Sequence, residues 1–234
     1  MTNVQGDSQR ASVKTDFDAV IIGAGFSGMY MLHSLRDKLD LNVTVFEAGD
    51  GVGGTWYWNR YPGARCDSDS YIYCYTFDKN LLQEWNWSER YPEQDEILRY
   101  LEHCAERFDL KPDIQFGKRV VEVIFDDNTE LWTVRTDKGD VVRARFVITA
   151  VGALSTANMP PIKGLSSFAG KCYHTSQWPH DGGLHRQACR RHRHRCHRGA
   201  GDPGDRAAGQ APHGLPAHAD LLRACAQRPC RSRS

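Results

Sequence analysis

Hydrophobic and polar positions near the start of the chain follow the pattern of an α/β unit. Residues 17–22 (FDAVII) form a short apolar run that ends at a glycine, which is typical of a buried parallel strand. Apolar residues then recur with a helical period from Phe26 to Leu39, and residues 41–46 (LNVTVF) predict a second strand. The order strand, glycine turn, helix, strand predicts a βαβ unit.

The pattern further along predicts one more helix and three more strands. Apolar residues fall on one face between Glu93 and Leu110, which predicts a helix. Residues 120–125, 131–136 and 141–150 predict strands, with turn residues between them. Residues 49–78 show no period, and so long an irregular segment in a compact domain is usually functional.

The composition changes abruptly after residue 180. The last 54 residues contain 11 arginines and 4 aspartates, a net charge of +7, which leaves −6 for residues 1–180. They contain no Val, Ile, Thr, Phe, Tyr or Trp, so they cannot bury enough apolar surface to offset their ordering entropy. We therefore expect a disordered arm at residues 1–15, a globular part at residues 16–180 and a disordered basic tail at residues 181–234.

Several classes of function are disfavoured by the composition. A net charge of +1 argues against binding nucleic acid along the whole chain, and no apolar run approaches the length of a membrane span. The start of the chain is polar and lacks the apolar region of a secretory signal, and the four cysteines before residue 181 fit no metal spacing. We expect a cytoplasmic protein with reduced thiols and without a metal, a membrane or a nucleic acid as partner.

The turn after the first predicted strand, GAGFSG at residues 23–28, matches the pattern G-x-G-x-x-G. Gly23 permits a tight turn, Gly25 lets the backbone approach a diphosphate, and Gly28 allows close packing of helix and strand. Glu47 follows the last glycine by 19 residues, and its carboxylate favours ribose hydroxyls over a 2′-phosphate. The pattern predicts FAD or NAD rather than NADP at this site; the alternative is a glycine-rich turn in an ordinary α/β domain.

The irregular segment that follows combines glycines, aromatic rings and charges. Gly54 would let the backbone approach a ring system, and Trp56 and Trp58 would supply flat apolar walls. Arg65 and Asp67 bring one charge of each sign to the same loop. The alternative is an aromatic-rich hairpin that packs on its own domain, but the neighbouring βαβ unit favours a binding site.

A second motif carries a family resemblance. Residues 168–179 (FAGKCYHTSQWP), called the fingerprint below, fit the pattern F-x-G-x-x-x-H-T-x-x-W-P, and the chain resembles the Baeyer–Villiger flavin monooxygenases. Residues 53–71 are similar to the flavin-side loop of the phenylacetone, cyclohexanone and steroid monooxygenase group. The related N- and S-oxygenating flavin monooxygenases usually have other residues in place of Thr175 and of Trp178 with the following proline.

The resemblance implies a Rossmann-like FAD-binding domain of an α/β flavoprotein with two dinucleotide-binding domains. Residues 16–157 would form an incomplete FAD-binding domain and residues 158–180 a linker, while the NADPH-binding domain is missing from this chain. The implied reaction uses FAD, NADPH and O2 to convert a ketone to an ester or lactone. The residues that would contact the cofactors are Gly23, Gly25, Phe26, Ser27, Gly28, Glu47, Gly54, Thr55, Trp56, Trp58, Arg65, Cys66, Asp67, Tyr73, Val120 and Ala153.

The resemblance also suggests two residues for the catalytic machinery. Asp67 would orient an arginine that lies far downstream in the family and that stabilises negative charge during the reaction. His174 would couple the motion of the two nucleotide domains rather than act as the chemical acid or base, and a structural histidine is nearly as well supported as a direct catalytic role.

The basic tail has an interpretation at the level of the coding sequence. Codons allowed for residues 185–199, read one base later, can encode TGKRVGVIGTGATG, which resembles the second glycine turn of the family. Codons for residues 218–226 can likewise encode TPTYSAPA. We therefore expect a single-base frameshift near residues 181–185. A Cys/His metal site and an arginine-rich nucleic-acid arm are the weaker alternatives for this tail.

Three functions follow in order of preference. The first is a truncated, inactive Baeyer–Villiger monooxygenase that binds FAD weakly and tends to aggregate. The second is an N- or S-oxygenating flavin monooxygenase, and the third is a non-catalytic FAD-fold fragment with a basic binding tail. A flavin disulfide reductase is disfavoured because no C-x4-C motif directly follows the first predicted helix.

Overall fold

The computed structural model describes residues 14–170, 172–179, 189–192 and 221–224. The first half of the chain contains strands β1 (Phe17–Ile22), β2 (Val43–Phe46) and β3 (Ile114–Gln115), and helices α1 (Phe26–His33), α2 (Thr55–Trp58), α3 (Lys79–Glu84) and α4 (Gln94–Arg107). The second half contains β4 (Val120–Asp126), β5 (Leu131–Thr136), β6 (Val141–Thr149), β7 (Cys172–His174), β8 (Cys189–His192) and β9 (Leu221–Ala224).

A six-stranded sheet with the order β3-β2-β1-β6-β5-β4 forms the centre of the molecule. Strand β1 pairs in parallel with both β2 and β6, and β4, β5 and β6 form an antiparallel extension. Ala19, Val20 and Ile21 of β1 are completely buried, as expected for a central parallel strand that is covered on both faces. The carboxyl ends of β1, β2 and β6 meet at one edge, where ligands bind in open α/β sheets.

Helices α1 and α4 cover one face of the sheet in a single core cluster. On α4, Ile97, Leu101 and Cys104 are completely buried and recur at the spacing of one helical face. Asp95 and Glu96 lie in the first turn of α4 and Arg107 in the last, where their charges oppose the helix dipole favourably. The buried stripe fixes α4 against the sheet and beside the irregular segment.

The predicted βαβ unit and the later strands are present, with differences at their ends. Phe17–Ile22 and Leu131–Thr136 have the predicted bounds. The α-helical part of α1 ends at His33, and a π-helical turn over Ser34–Lys38 follows it. The sequence prediction missed α2, α3 and β3 because they are only 4, 6 and 2 residues long, too short for a period. Helix α3 is stabilised locally, since the side chain of Asp78 accepts hydrogen bonds from two backbone amides at its start.

A small antiparallel sheet has the strand order β7-β9-β8. Two strands of this sheet, Cys189–His192 and Leu221–Ala224, lie within the stretch predicted as a disordered tail, and the predicted domain bounds stay a prediction. Pairing of this kind uses backbone amides and carbonyls, which every residue except proline carries whatever its side chain. Residues 1–13 of the arm predicted at residues 1–15, and the rest of the predicted tail, lie outside the described residues.

Within the described part of the chain, no helix has both the length and the apolar character needed to cross a membrane. The same residues contain no group of three or more His, Cys, Asp or Glu side chains arranged to hold a metal ion. Cys66, Cys74, Cys104 and Cys172 are free thiols.

Candidate functional site

The glycine turn between β1 and α1 is held in place by backbone contacts. Gly23 has a φ of 102°, and a Cβ at this position would lie 2.7 Å from the carbonyl oxygen of Ala150. A Cβ at Gly28 would lie 1.8 Å from the carbonyl oxygen of Gly23, so helix and turn pack too closely for any side chain. A Cβ at Gly25 would make only an ordinary 3.4 Å contact with Gly54. Close packing thus accounts for Gly23 and Gly28, whereas Gly25 lines an open cavity.

Glu47 connects the turn to the end of β2. Its buried carboxylate accepts one hydrogen bond from the backbone amide of Ala24 and one from that of Gly49, each 2.7 Å long. The Ala24 carbonyl in turn accepts from the amide of Gly53 at 3.0 Å. Helix α1 starts after Gly25 without a side-chain cap. The amides of its first turn are therefore available to an anionic ligand, and the chain itself orders the loop that presents them.

One cavity adjoins this turn, and a second cavity shares part of its lining. The first has a volume of about 360 Å³ and the second about 540 Å³. Their common lining includes Thr55, Trp56 and Tyr73, so one wall serves both. The first reaches the glycine turn and Glu47, and the second reaches the residues around Asp67 and His174. The two cavities, which share this wall, are together called the depression, and the glycine turn borders its first cavity.

The common wall is built from interlocked aromatic rings. The indole Nε1 of Trp56 donates a hydrogen bond of 3.0 Å to the hydroxyl of Tyr73. The ring of Phe26 meets that of Tyr73 edge-on, with centroids 5.1 Å apart. Burial raises the pKa of Tyr73 above its ordinary value, which keeps its hydroxyl neutral. These contacts place a rigid apolar surface where a planar ring could pack.

Arg65 lines the second cavity, but acidic neighbours hold its guanidinium. It forms ion pairs with Glu89 and Glu93 and also donates to the carbonyl oxygen of Tyr91. The hydrogen bond to Glu89 is the main reason why the pKa of Arg65 is raised. The resemblance implied that Arg65 contacts a cofactor; the structure shows that two carboxylates, those of Glu89 and Glu93, already balance its charge.

Asp67 and His174 both line the second cavity. Asp67 is exposed, so its carboxylate can contact a ligand. His174 is buried, and its Nδ1 accepts a hydrogen bond of 3.2 Å from the amide of Ser176 and lies 2.7 Å from the Ser176 hydroxyl. His174 thereby caps the short helical turn Thr175–Gln177, a geometry that supports a structural role beside the cavity.

Most residues predicted for the site are brought together by the fold. The predicted residues that line the first cavity are Gly23, Gly25, Phe26, Ser27, Glu47, Gly54, Thr55, Trp56, Trp58, Tyr73 and Val120. The predicted residues that line the second are Thr55, Trp56, Arg65, Cys66, Asp67, Tyr73, Ala153 and His174. Gly28 lines neither cavity and packs against the turn instead.

The sequence analysis missed two cations at the Glu47 end of the first cavity, Lys118 and Arg119. The ammonium of Lys118 donates to Asp140 at 2.9 Å and to Gln115 at 2.8 Å. The pattern gave no signal for them, because Lys118 and Arg119 lie at the amino end of β4, whereas ligand sites of such sheets are expected at the carboxyl ends of strands.

Most of the chain matches a known sequence family. The profile of the family described as pyridine nucleotide-disulphide oxidoreductase matches residues 20–183. The chain belongs to this family.

Curated relatives indicate which kind of protein in this family the chain is similar to, namely monooxygenases. A Baeyer–Villiger monooxygenase of Pseudooceanicola batsensis is 45% identical over 177 residues, 76% of this chain and 32% of that protein. A cyclohexanone 1,2-monooxygenase of Acinetobacter sp. is 46% identical over 170 residues, 73% of this chain and 31% of that protein. A phenazine N-monooxygenase of Lysobacter antibioticus is 46% identical over 168 residues, 72% of this chain and 31% of that protein. The chain thus spans about a third of the length of these relatives.

Solved structures agree with this grouping. An oxidised steroid monooxygenase bound to NADP is 55% identical with a TM-score of 0.66, over 71% of this chain and 32% of that chain. A cyclohexanone monooxygenase from Rhodococcus sp. Phi1 bound to NADP+ is 48% identical with a TM-score of 0.70, over 74% and 32% of the two chains. The resemblance to the Baeyer–Villiger flavin monooxygenases and the Rossmann-like fold class are therefore confirmed, and the relatives are oxidoreductases.

Proposed function

We propose that residues 16–180 form the FAD-binding part of an FAD- and NADPH-dependent Baeyer–Villiger monooxygenase. The whole protein would convert a ketone to an ester or lactone with O2. One observation supports this most: a single depression joins the glycine turn and Glu47 to the loop that carries Asp67 and to the fingerprint residue His174. A turn alone would suit any dinucleotide, whereas the fingerprint is specific to these monooxygenases.

The residues present fit FAD. The uncapped start of α1 offers amides to a diphosphate, and Gly25 leaves room for it to approach. Glu47 uses one lone pair of each oxygen for backbone amides, which leaves capacity for ribose hydroxyls. Trp56 and Tyr73 supply a wall of the size and polarity that a flavin ring requires.

FAD, when bound, supplies the redox chemistry with O2 that amino-acid side chains lack. The chain's own contribution is to bind, orient and shield. The aromatic wall excludes water from the reacting end of the depression. Asp67, exposed at that end, orients a cationic group that comes from outside this chain. His174 fixes the fingerprint turn beside the second cavity.

N-oxygenation is the second candidate. The phenazine N-monooxygenase is as similar to this chain as the ketone-oxidising relatives are. This third of the protein is therefore shared by enzymes with different substrates. The ketone assignment rests on the Thr175 and Trp178 positions of the fingerprint, and Trp178 is buried against the ring of Tyr173.

Parallel substrate assays of the full-length protein, expressed from the gene with the predicted frameshift repaired, test the proposal. NADPH consumption is measured with cyclohexanone, with phenazine and with neither, and the products are identified by mass spectrometry. We expect a lactone from the ketone at a rate well above that of the N-oxide. N-oxide as the dominant product would replace the proposal by its alternative.

We further propose that the 234-residue chain has no activity on its own, because it covers about a third of its relatives. A frameshift near residues 181–185 stays a prediction, as does a cytoplasmic location. Reading the coding DNA around residue 181 in all three frames tests the frameshift directly. If the frame read one base later does not encode a peptide that resembles the second glycine turn of the family, the frameshift prediction is refuted.

A further inference from the structure

We propose that Tyr75 is a positioning residue for the flavin site, and that its hydroxyl sets the direction of the Ser27 amide at the start of α1. This inference presupposes the FAD site proposed above. Tyr75 lies in a segment outside the helices and strands, yet its hydroxyl donates a 2.6 Å hydrogen bond to the carbonyl oxygen of Phe26, 49 residues away in sequence. Phe26 is the first residue of α1 and follows Gly25 directly.

Peptide planarity carries the effect from the carbonyl to the amide. The carbonyl of Phe26 and the N–H of Ser27 belong to one rigid peptide plane and point in opposite directions. A hydrogen bond that fixes the Phe26 oxygen therefore also fixes the Ser27 N–H. Both residues line the first cavity, at the position where the uncapped helix end would meet a diphosphate.

Tyr75 is itself held from the opposite side. Its backbone amide donates a 2.8 Å hydrogen bond to the hydroxyl of Tyr100, a residue of α4 that is 1% exposed. Burial raises the pKa of Tyr75 far above its ordinary value, so its hydroxyl remains a donor at every physiological pH. Tyr100 and Tyr75 thus connect the buried face of α4 to the first turn of α1.

The aromatic wall depends on the same anchor. The ring centroid of Phe26 lies 5.2 Å from that of Tyr75 and 5.1 Å from that of Tyr73. Tyr73 accepts the hydrogen bond from Trp56. Removing the Tyr75 hydroxyl while keeping its ring should loosen the Ser27 amide and leave these ring contacts in place.

Tyr30 provides a matched control. Its ring stacks on that of Tyr75 with centroids 6.3 Å apart, and it is 38% exposed. Its hydroxyl forms no hydrogen bond with other residues in the part of the chain that the structure describes. Tyr30→Phe therefore removes a hydroxyl from the same aromatic cluster without touching the Phe26 carbonyl.

The experiment compares the full chain with Tyr75→Phe and Tyr30→Phe. FAD and ADP are titrated into each protein, and the thermal midpoint of each apoprotein is measured. ADP is included because it carries the diphosphate and ribose without the flavin. We expect Tyr75→Phe to weaken the binding of FAD and the binding of ADP by a similar factor of about 3 to 10, which is the effect of one hydrogen bond. Tyr30→Phe should bind both ligands like the unmodified chain.

Each other outcome has a definite meaning. Unchanged FAD and ADP affinity in Tyr75→Phe, even with a lower thermal midpoint, would show a merely structural role and overturn the inference. If Tyr75→Phe does not fold, Tyr100→Phe replaces it in the titrations. Tyr100→Phe should also weaken the binding of FAD and ADP, and unchanged affinity would contradict the inference. If the unmodified folded chain binds neither FAD nor ADP, the proposed FAD site fails, and this inference fails with it.

Discussion

Replacing Glu47 by glutamine tests both tasks of this carboxylate, which are to hold the backbone amides of the loop and to bind a ribose hydroxyl. Glu47 is 4% exposed and accepts hydrogen bonds from the amides of Ala24 and Gly49. Glutamine keeps one acceptor oxygen but directs an NH2 group toward the second backbone N–H. One charge-assisted hydrogen bond is lost, so we expect the free energy of unfolding to fall by about 1.5–3 kcal/mol.

The same substitution should weaken FAD binding. A ribose hydroxyl that donates to a carboxylate contributes about 1.5–3 kcal/mol, equivalent to roughly a 10- to 100-fold change in Kd. Urea denaturation of the apoprotein measures the first effect, and quenching of flavin fluorescence on FAD titration measures the second.

Glu96 offers a matched control away from the cavities. It is also buried, and its two oxygens accept from the amide and the hydroxyl of Ser88, each at 2.7 Å. Because the Ser88 hydroxyl can rotate to accept from an NH2 group, Glu96→Gln should cost the same stability or less. It should leave the Kd for FAD unchanged. If Glu47→Gln and Glu96→Gln weakened FAD binding equally, a direct role for Glu47 in binding FAD would be refuted.

Three further predictions concern the glycine turn and the thiols. Gly28→Ala should prevent folding, because its Cβ would lie 1.8 Å from the Gly23 oxygen, and circular dichroism will show this; a folded variant would contradict the packing described here. Gly25→Ala should fold, since its Cβ would make only a 3.4 Å contact, but should lose FAD in equilibrium dialysis; retained FAD would place the diphosphate elsewhere. Burial raises the pKa of Cys104 to about 12, so at pH 8 its alkylation, followed by mass spectrometry, should be roughly 1,000-fold slower than in urea. Its rate should rise with pH up to that pKa, as the thiolate forms, and fast alkylation at pH 8 would contradict its burial.

Local features of the fold were predictable because their physical signals are local. The apolar run of β1, the helical period of α1 and the glycine turn lie within about twenty residues of each other, where periodicity and turn chemistry act. Glu47 could be placed as well, because the end of a second strand in a βαβ unit has a fixed relation to the turn.

Long-range contacts could not be predicted from these patterns. Arg65 pairs with Glu89 and Glu93, which are 24 and 28 residues away, and nothing in the sequence spacing indicates that partnership. The hydrogen bond from Tyr75 to Phe26 is of the same kind. The strand pairing of Leu221–Ala224 with Cys172–His174 depends on backbone groups and leaves no mark in the composition.

Equilibrium binding of FAD to the purified, folded chain tests the central claim most directly. The account predicts saturable binding of one FAD per chain, competition by ADP but not by riboflavin alone, and a loss of affinity in Glu47→Gln. A folded chain that takes up no FAD at saturating concentration, or that binds riboflavin and FAD equally well, would contradict a diphosphate site at the start of α1.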